Sequence, residues 1–144
     1  MGEEYKYVLV TGGAGFVGSN LCERLLREGR HVMCLDNLYT GSLDTINDLM
    51  ENENFEFLQM DILNKVAIEK LRLLKIDEIY HFACPASPVH YQRDAIYTTR
   101  VCVEGTINML ELARPKAAAS SSLRRAKCTA TLLFTHNSRA TGVT

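Results

Sequence analysis

The chain of 144 residues has no tryptophan, only three prolines and no excess of charge of either sign, since its net charge is −1. Proteins that bind nucleic acid or an anionic membrane surface usually carry a basic excess, so we expect neither partner. No apolar run approaches the ~20 residues of a membrane-spanning helix. The first residues also lack the basic start and apolar stretch of a secretory signal. These absences predict a cytosolic chain.

Cysteine and histidine are present without the spacing of a metal site. The five cysteines are odd in number, no two are separated by only two or three residues, and the four histidines are scattered. Paired Cys-x-x-Cys spacing is typical of zinc and redox motifs. We therefore predict reduced thiols and no bound metal.

Short apolar runs alternate with helical periodicity along the first 113 residues. We predict strands over residues 5–11, 31–35, 55–60 and 78–83, and helices from residue 16 and over residues 42–50, 66–74 and 95–113. This alternation is typical of a parallel sheet with helices on both faces, and right-handed crossovers then restrict the topology. The sequence predicts an α/β fold, a Rossmann-type doubly wound parallel sheet, incomplete because residues 1–114 hold its first four βα units.

The last thirty residues do not continue this pattern. From Pro115 the chain runs through Ala117–Ser122 and an arginine pair into a threonine-rich tail. The stretch 131–135 has strand propensity but no turn signals around it. We predict that residues 115–144 are poorly ordered.

A glycine-rich turn links the first predicted strand to the first helix. Gly12 allows a tight turn, Gly15 lets the backbone approach a pyrophosphate, and Gly18 lets the helix pack against the strands. Asp36 ends the second strand, 24 residues after Gly12, where a carboxylate can accept hydrogen bonds from an adenosine ribose. An acid there favours NAD over NADP. The alternative is a glycine-rich turn without a ligand.

Two further polar residues follow or interrupt predicted strands. Asp61 follows the third strand, where it contacts an adenine or simply caps the strand end. His81 lies in the fourth strand, where a buried histidine with satisfied hydrogen bonds is the favoured interpretation.

With these residues placed, residues 5–114 resemble the extended short-chain dehydrogenase/reductases, on the spacing Gly-Gly-Ala-Gly-Phe-Val-Gly from residue 12. A more specific segment is Ile-Tyr-His-Phe-Ala-Cys-Pro-Ala-Ser-Pro-Val-His-Tyr at residues 79–91. It is similar to the UDP-glucuronate decarboxylase (UDP-xylose synthase) family. Residues 36–41 and 105–110 agree with that resemblance.

The resemblance implies a role for each matching position. Gly15, Phe16 and Val17 would lie along the NAD pyrophosphate. Asp36 and Asn37 would hold the adenosine ribose, with Tyr39, Thr40 and Gly41 nearby. Asp61 and Ile62 would face the adenine, and Phe82 and Cys84 would border the nicotinamide half. Arg100 and Asn108 match positions that touch the sugar nucleotide, although Arg100 alone is equally well a solvated helix charge.

The family reaction converts UDP-glucuronate to UDP-xylose and carbon dioxide through a 4-keto sugar, with NAD recycled. The resemblance also implies a homodimer through helices that include residues 95–113. Two alternatives stay open. One is another nucleotide-sugar epimerase or dehydratase. The other is a non-catalytic NAD-binding or regulatory module that pairs with a full-length subunit.

The chain departs from the family in three places. Cys102 stands where the family usually has Asn, and residues 64–75 are longer than expected, so substrate contacts are not transferred there. No Tyr-x-x-x-Lys occurs, and no tyrosine follows Tyr97. That tyrosine is the family's general base for the C4 hydroxyl, and the lysine lowers its pKa. We therefore assign no catalytic residue and expect no turnover by this chain alone.

The tail is compatible with a lost reading frame. The family continues after this helix into a segment Ser-Thr-Ser-Glu-Val-Tyr-Gly-Asp-Pro. Synonymous codons exist for residues 125–144 that, read from the third base, encode Ser-Glu-Val-Tyr-Gly-Asp-Pro at nearly the expected distance. We hypothesise that the frame is lost near Pro115, through a splice variant, a gene-model error or a sequencing slip.

Overall fold

A computed structural model describes residues 7–114 and 125–128. The strands are β1 Tyr7–Thr11, β2 His31–Asp36, β3 Phe55–Gln59, β4 Glu78–His81 and β5 Arg125–Cys128; the α-helices are α1 Phe16–Arg27, α2 Lys65–Arg72, α3 Pro88–Arg93, α4 Ala95–Arg100 and α5 Thr106–Ala113. The four predicted strands and the helices at residues 16 and 66–74 are thus present, with ends shifted by a few residues at most.

The five strands form one parallel sheet in the order β3-β2-β1-β4-β5. Thr11 at the end of β1 lies opposite Leu35 of β2 on one side and His81 of β4 on the other. The chain adds strands to one side of β1 and then, after β3, crosses to the other side. A crevice forms at such a switch point, outside the carboxyl ends of the strands. The predicted doubly wound fold is confirmed.

Two apolar layers cover the sheet, one on each face. Val8 and Val10 of β1 pack with Cys22 and Leu25 of α1. Leu9, the residue between those two valines, lies in the opposite layer with the buried residues of α2 and α5, among them Leu71 and Leu112. Successive side chains of a strand point to opposite faces, so strands buried on both sides are nearly all apolar.

The prediction of a helix over residues 42–50 is wrong. Two short 3₁₀ turns occupy this stretch, Leu43–Thr45 and Asn47–Leu49, and the Ser42 hydroxyl accepts a hydrogen bond from the amide of Asp44. Within residues 42–50, Ile46 is the one fully buried side chain, whereas Leu43 and Met50 are exposed. A single buried residue anchors one turn, but it does not provide the apolar stripe that stabilises a longer helix.

The region after β4 is more helical and less regular than predicted. The stretch between the predicted strand 78–83 and the predicted helix 95–113 contains α3, which begins at Pro88, a residue well suited to the first turn of a helix. The predicted helix 95–113 is divided into α4, a π-helical segment over Val101–Gly105, and α5. Gly105 contacts the side chain of Ile62 so closely that a Cβ would collide with it. The helix therefore approaches the chain after β3 at the π segment.

Strand β5 lies in the tail for which no order was predicted, so that prediction is wrong at four residues. Residues 125–128 pair in parallel with β4 and cover its edge. Strand pairing uses backbone groups that every non-proline residue carries, which is why side-chain patterns did not reveal it. The rest of residues 115–144, including the stretch 131–135, lies outside the described residues. Among the helices described, none has the length and apolar character needed to cross a membrane.

Candidate functional site

A cleft of about 360 Å³ lies at the carboxyl ends of β1, β2 and β4. It is lined by all but one of the residues predicted to bind a cofactor: Gly12, Gly15, Phe16, Val17, Gly18, Asp36, Asn37, Tyr39, Thr40, Asp61, Ile62, Phe82 and Cys84. Gly41 instead lies behind the wall, where a Cβ would come within 3.0 Å of Ala14. The topology thus brings residues from four separate loops to one place.

The glycine turn forms the floor of the cleft. Gly12 has a φ of +71°, and a Cβ there would lie 2.7 Å from the carbonyl carbon of Phe82. Its amide donates to the carbonyl oxygen of Leu35 at 2.7 Å, which closes the turn against β2. A side chain is excluded by both conformation and space.

The amino end of α1 opens into this cleft. Gly15 is the N-cap residue, and within the described chain no side chain caps the helix there. Phe16, the first helical residue, is 83% exposed. The first amides of a helix lack partners within the helix and carry partial positive charge. This end of α1 is therefore suited to an anionic group such as a phosphate.

The Asp36 carboxylate is held in a defined orientation beside the glycine turn. Its Oδ2 accepts from the amide of Ala14 at 3.0 Å, and its Oδ1 accepts from the amide of Leu38 at 2.8 Å. The residue is 8% exposed. Each carboxylate oxygen has a further lone pair, so the group retains capacity for hydroxyl donors from a ligand.

A polar network that the sequence analysis did not predict closes the Asp61 side of the cleft. The Asn37 side-chain amide donates to the phenol oxygen of Tyr97 at 2.6 Å and to Asp61 Oδ2 at 3.2 Å. The Tyr97 hydroxyl donates to the same Asp61 oxygen at 3.0 Å. Asp61 also accepts from the amide of Leu63, so it caps the strand end as well as lining the cleft.

Tyr97 itself was missed by sequence analysis. Burial first, and then its hydrogen bond to Asp61, raise the pKa of Tyr97 to about 12, so it stays a neutral donor. Its ring centroid lies 4.9 Å from that of Tyr39. Tyr97 is 60 residues from Asn37 in the chain, and no local pattern in the sequence links the two.

His81 connects three elements below the cleft, as a buried histidine with satisfied hydrogen bonds. Nδ1 lies 2.6 Å from the Thr11 hydroxyl, and Nε2 lies 3.1 Å from the Thr106 hydroxyl. Because Thr106 donates to the carbonyl oxygen of Cys102, we assign the ring proton to Nε2 and an acceptor role to Nδ1. Burial lowers the pKa of His81 to about 4, so the ring is neutral near pH 7.

The prediction that all cysteines are reduced is wrong for one pair. Cys84, in the cleft wall, is joined to Cys102 of the π segment by a disulfide, with Cα atoms 5.7 Å apart. The fold brings the loop after β4 next to this helix, which their separation of 18 residues does not reveal. Cys22 and Cys34 are free thiols, as predicted, and both are buried.

The structure does not bring the two predicted sugar-nucleotide residues into the cleft. Arg100 is exposed and pairs with Glu104 at 3.0 Å, which favours the alternative of a solvated helix charge. The Asn108 amide donates to the carbonyl oxygen of Ile62 at 2.8 Å and so supports the wall from behind. Their contact with a sugar nucleotide stays a prediction. In the part of the chain that the structure describes, no three His, Cys, Asp or Glu side chains gather as a metal site would require.

A protein-family model described as GDP-mannose 4,6 dehydratase matches residues 9–133. UDP-glucuronic acid decarboxylase 4 of Arabidopsis thaliana is 46% identical over 107 residues, 74% of this chain and 23% of that protein. UDP-glucuronic acid decarboxylase 1 of Danio rerio is 40% identical over 112 residues, 78% of this chain and 25% of that protein. The chain thus spans about a quarter of the length of these curated relatives.

Solved structures give the same result for the fold. Epimerase Mth375 of Methanothermobacter thermautotrophicus superimposes with a TM-score of 0.69 and 34% identity, over 76% of this chain and 32% of that one. A dTDP-glucose 4,6-dehydratase of Bacillus anthracis, solved in complex with NAD, has a TM-score of 0.63 and 28% identity, over 75% of this chain and 33% of that one. The chain belongs to the GDP-mannose 4,6-dehydratase family, among the extended short-chain dehydrogenase/reductases.

Proposed function

We propose that this chain is the NAD-binding part of a UDP-glucuronate decarboxylase. The observation that carries the proposal is the Asp36 carboxylate, fixed by the amides of Ala14 and Leu38 beside the glycine turn. Relatives named UDP-glucuronic acid decarboxylase match this part of the chain at 40% and 46% identity. Other proteins with this fold serve other reactions, so the substrate assignment depends on those relatives and on the segment 79–91.

The shape of the cleft fits a dinucleotide. At Gly12 a Cβ would meet the backbone of Phe82, and at Gly18 it would meet the backbone of Gly12, so the floor stays free of side chains. The amino end of α1 accepts the paired phosphates, and Asp36 accepts the ribose hydroxyls. A 2′-phosphate would place negative charge beside that carboxylate. NAD is therefore favoured over NADP.

When bound, NAD supplies a hydride acceptor and later a hydride donor. In the proposed reaction C4 of the glucuronate would be oxidised, the carboxylate on C5 would leave as carbon dioxide with a proton taking its place on C5, and the C4 ketone would be reduced. The chain's own residues bind and orient the dinucleotide. The network of Asn37, Asp61 and Tyr97 holds the adenosine side, while Phe82 and Cys84 form the wall near the reacting ring. The 144 residues contain no Tyr-x-x-x-Lys to take the C4 hydroxyl proton.

Titration calorimetry with the 144-residue chain tests cofactor binding. We expect saturable binding of NAD⁺ that is at least about tenfold tighter than that of NADP⁺, because an unpaired like-charge contact costs more than ~1.4 kcal/mol. UDP-glucuronate added with NAD⁺ should yield no UDP-xylose. Equal affinity for the two cofactors, or no binding of either, would contradict the proposal.

The alternative of a nucleotide-sugar epimerase or dehydratase is favoured by the solved structures, which carry those names. Substrate competition separates the two. A chain extended to a complete enzyme should convert UDP-glucuronate to UDP-xylose, and UDP-glucose should act only as a competitor. Epimerisation of UDP-glucose without decarboxylation would establish the alternative.

We also propose that residues 115–144 are translated in a shifted frame, so that residues 1–114 are the authentic part. Serines 120–122, if encoded by TCN codons, read in that frame as three successive residues from the set Ile, Leu, Val and Phe. An apolar run of this kind is typical of a buried parallel strand. One residue separates this run from the position where Ser-Thr-Ser-Glu-Val-Tyr-Gly-Asp-Pro is encodable. The transcript sequence after the codon for Ala113 tests this, and codons incompatible with that string would refute it.

The proposal also includes association of this chain with a second copy or with a full-length subunit. Ile96, Val103, Ile107 and Leu110 expose apolar side chains along α4, the π segment and α5, and a homodimer or a full-length partner would cover them. Sedimentation equilibrium measures this directly. A cytosolic location stays a prediction.

A further inference from the structure

The disulfide between Cys84 and Cys102 joins two different walls of the cleft. Cys84 follows β4, where its amide donates to the carbonyl oxygen of Phe82 at 2.8 Å. Cys102 lies in the π segment, next to Val101, which also lines the cleft. The Cα separation of 5.7 Å lies within the range of about 4.4–6.8 Å that native disulfides show. This separation permits a disulfide between the two residues.

The two partners are accessible, unlike Cys22 and Cys34. Cys84 and Cys102 are half-buried, whereas Cys22 and Cys34 are fully buried between α1 and the sheet. A side-chain hydrogen bond with Cys22 and burial raise the pKa of the Cys34 thiol well above its usual range. Burial keeps both inner thiols out of reach of a soluble thiol, so the inner pair is protected from exchange, whereas the half-buried outer pair is open to it.

The helix that carries Cys102 is also tied to β4 by hydrogen bonds. Thr106 donates to the carbonyl oxygen of Cys102 at 2.6 Å and lies 3.1 Å from His81 Nε2. These bonds hold the π segment beside the end of β4 whether or not the sulfur atoms are joined. Reduction therefore leaves the two thiols close together and able to re-form the bond.

We propose that Cys84 and Cys102 form a reversible thiol–disulfide site in the wall of the cleft, which exchanges with a low-molecular-weight couple of the glutathione type. Accessible disulfides are the labile and regulatory ones, and in a reducing compartment they are usually transient. The proposal of a redox site rests on the Cα separation and the partial exposure of the two cysteines. Its link to NAD, described below, rests on the proposed function.

The exchange balances in two steps. One cysteine thiolate attacks a sulfur of glutathione disulfide, so that its S–S bond breaks and one glutathione thiolate leaves. The second cysteine thiolate then attacks the protein sulfur of the mixed disulfide, and the second glutathione leaves. The two protein thiols lose two electrons and two protons, and glutathione disulfide gains them as two thiols. Excess glutathione drives the same steps in reverse.

Peptide mapping tests the site on the unmodified chain. Trypsin releases Cys84 in residues 76–93 and Cys102 in residues 101–116, each with a single cysteine, because the Arg114–Pro115 bond resists cleavage. After equilibration with excess glutathione disulfide, we expect these two peptides to be cross-linked. Excess reduced glutathione should release both for alkylation. Alkylation of both cysteines in the oxidised sample, or pairing of either with another cysteine, would overturn the proposal.

Variants provide matched controls. Cys102→Asn should abolish the cross-linked peptide and leave Cys84 as a mixed disulfide with glutathione, whereas Cys34→Ala should retain the cross-link. If Cys102→Asn does not fold, Cys84→Ser serves the same purpose from the other partner. Retention of an intramolecular disulfide at Cys84 in Cys102→Asn would contradict the assignment.

Coupling to the cleft is tested in the same redox buffers. The disulfide fixes Cys84, which lines the cleft, to the π segment, whereas reduction frees the loop that carries Cys84, so NAD⁺ should bind the disulfide form more tightly than the reduced form. By linkage, saturating NAD⁺ should then raise the value of [GSH]²/[GSSG] at which half of the protein disulfide is reduced, by at least about threefold, because two glutathione thiols are consumed for each disulfide. An unchanged value with NAD⁺ bound would refute the coupling alone. No NAD⁺ binding in either redox state would refute the proposed function and leave the peptide map as the test of the sulfur site.

Discussion

The carboxylate of Asp36 accepts a hydrogen bond from the backbone amide of Ala14, 22 residues earlier, at 3.0 Å. This bond joins the end of β2 to the glycine turn that follows β1. A second bond, from the amide of Leu38 at 2.8 Å, fixes the other carboxylate oxygen. The group is thus oriented before any ligand arrives, and a preorganised group costs less to engage on binding.

Asp36→Asn should weaken NAD⁺ binding by roughly tenfold to a hundredfold, because hydrogen bonds to a charged acceptor contribute about 1.5–3 kcal/mol. The substitution should also narrow the preference for NAD⁺ over NADP⁺, since the negative charge at residue 36 is gone. Calorimetric titration of both cofactors measures the two effects. Asp48→Asn, on an exposed turn outside the cleft, should bind like the wild type. An unchanged affinity in Asp36→Asn would contradict the assigned role.

Gly12→Ala should destabilise the fold by at least about 3 kcal/mol, since a left-handed conformation costs ~1–2 kcal/mol and the Cβ meets the Phe82 backbone. Gly29→Ala is the matched control. Gly29 has a similar φ of +77°, but no atom lies within 4 Å of an added Cβ, so only the conformational cost of about 1 kcal/mol applies. Urea unfolding followed by far-UV circular dichroism measures both. Equal losses would show that crowding at Gly12 is unimportant.

Arg30→Met should cost about 2–3 kcal/mol of unfolding free energy. The Arg30 guanidinium lies 2.9 Å from Glu78, whose side chain is only 4% exposed, and removal of one partner from a buried ion pair is strongly destabilising. Arg24→Met removes the exposed pair with Glu28 and should change stability by less than about 0.5 kcal/mol. Similar losses of unfolding free energy for the two variants in urea would refute the distinction between the buried and the exposed ion pair.

Stability should fall as the pH drops from 7 towards 4, because of His81. Its pKa is about 4 in the folded chain, against an ordinary 6.5, so between these values the unfolded chain binds more protons. Unfolding free energy then rises with pH across this window, and the loss between pH 7 and pH 5 is about 2 kcal/mol. His81→Gln has no imidazole and should lose less over that interval. An equal pH dependence in the variant would refute a buried neutral His81.

Much of the fold follows from local pattern. The strands at 7–11 and 31–36 are short apolar runs, and α1 has a clear apolar face and begins directly after the glycine turn. The glycine spacing and the acid at the end of β2 together indicated the cleft, because carboxyl ends of neighbouring parallel strands meet at one edge. At residues 42–50 the periodicity was misleading, since Leu43 and Met50 are exposed and only Ile46 is fully buried.

By itself, therefore, the sequence determined the alternation of strands and helices, the turn that needs glycine and the position of Asp36, because each depends on neighbouring residues or on a fixed spacing. Only the tertiary structure decided the pairing of Cys84 with Cys102, the network of Asn37, Asp61 and Tyr97, and the addition of β5 to β4. These contacts join residues that are distant in the chain. They depend on how the helices after β4 cross the sheet, and no local periodicity contains that information.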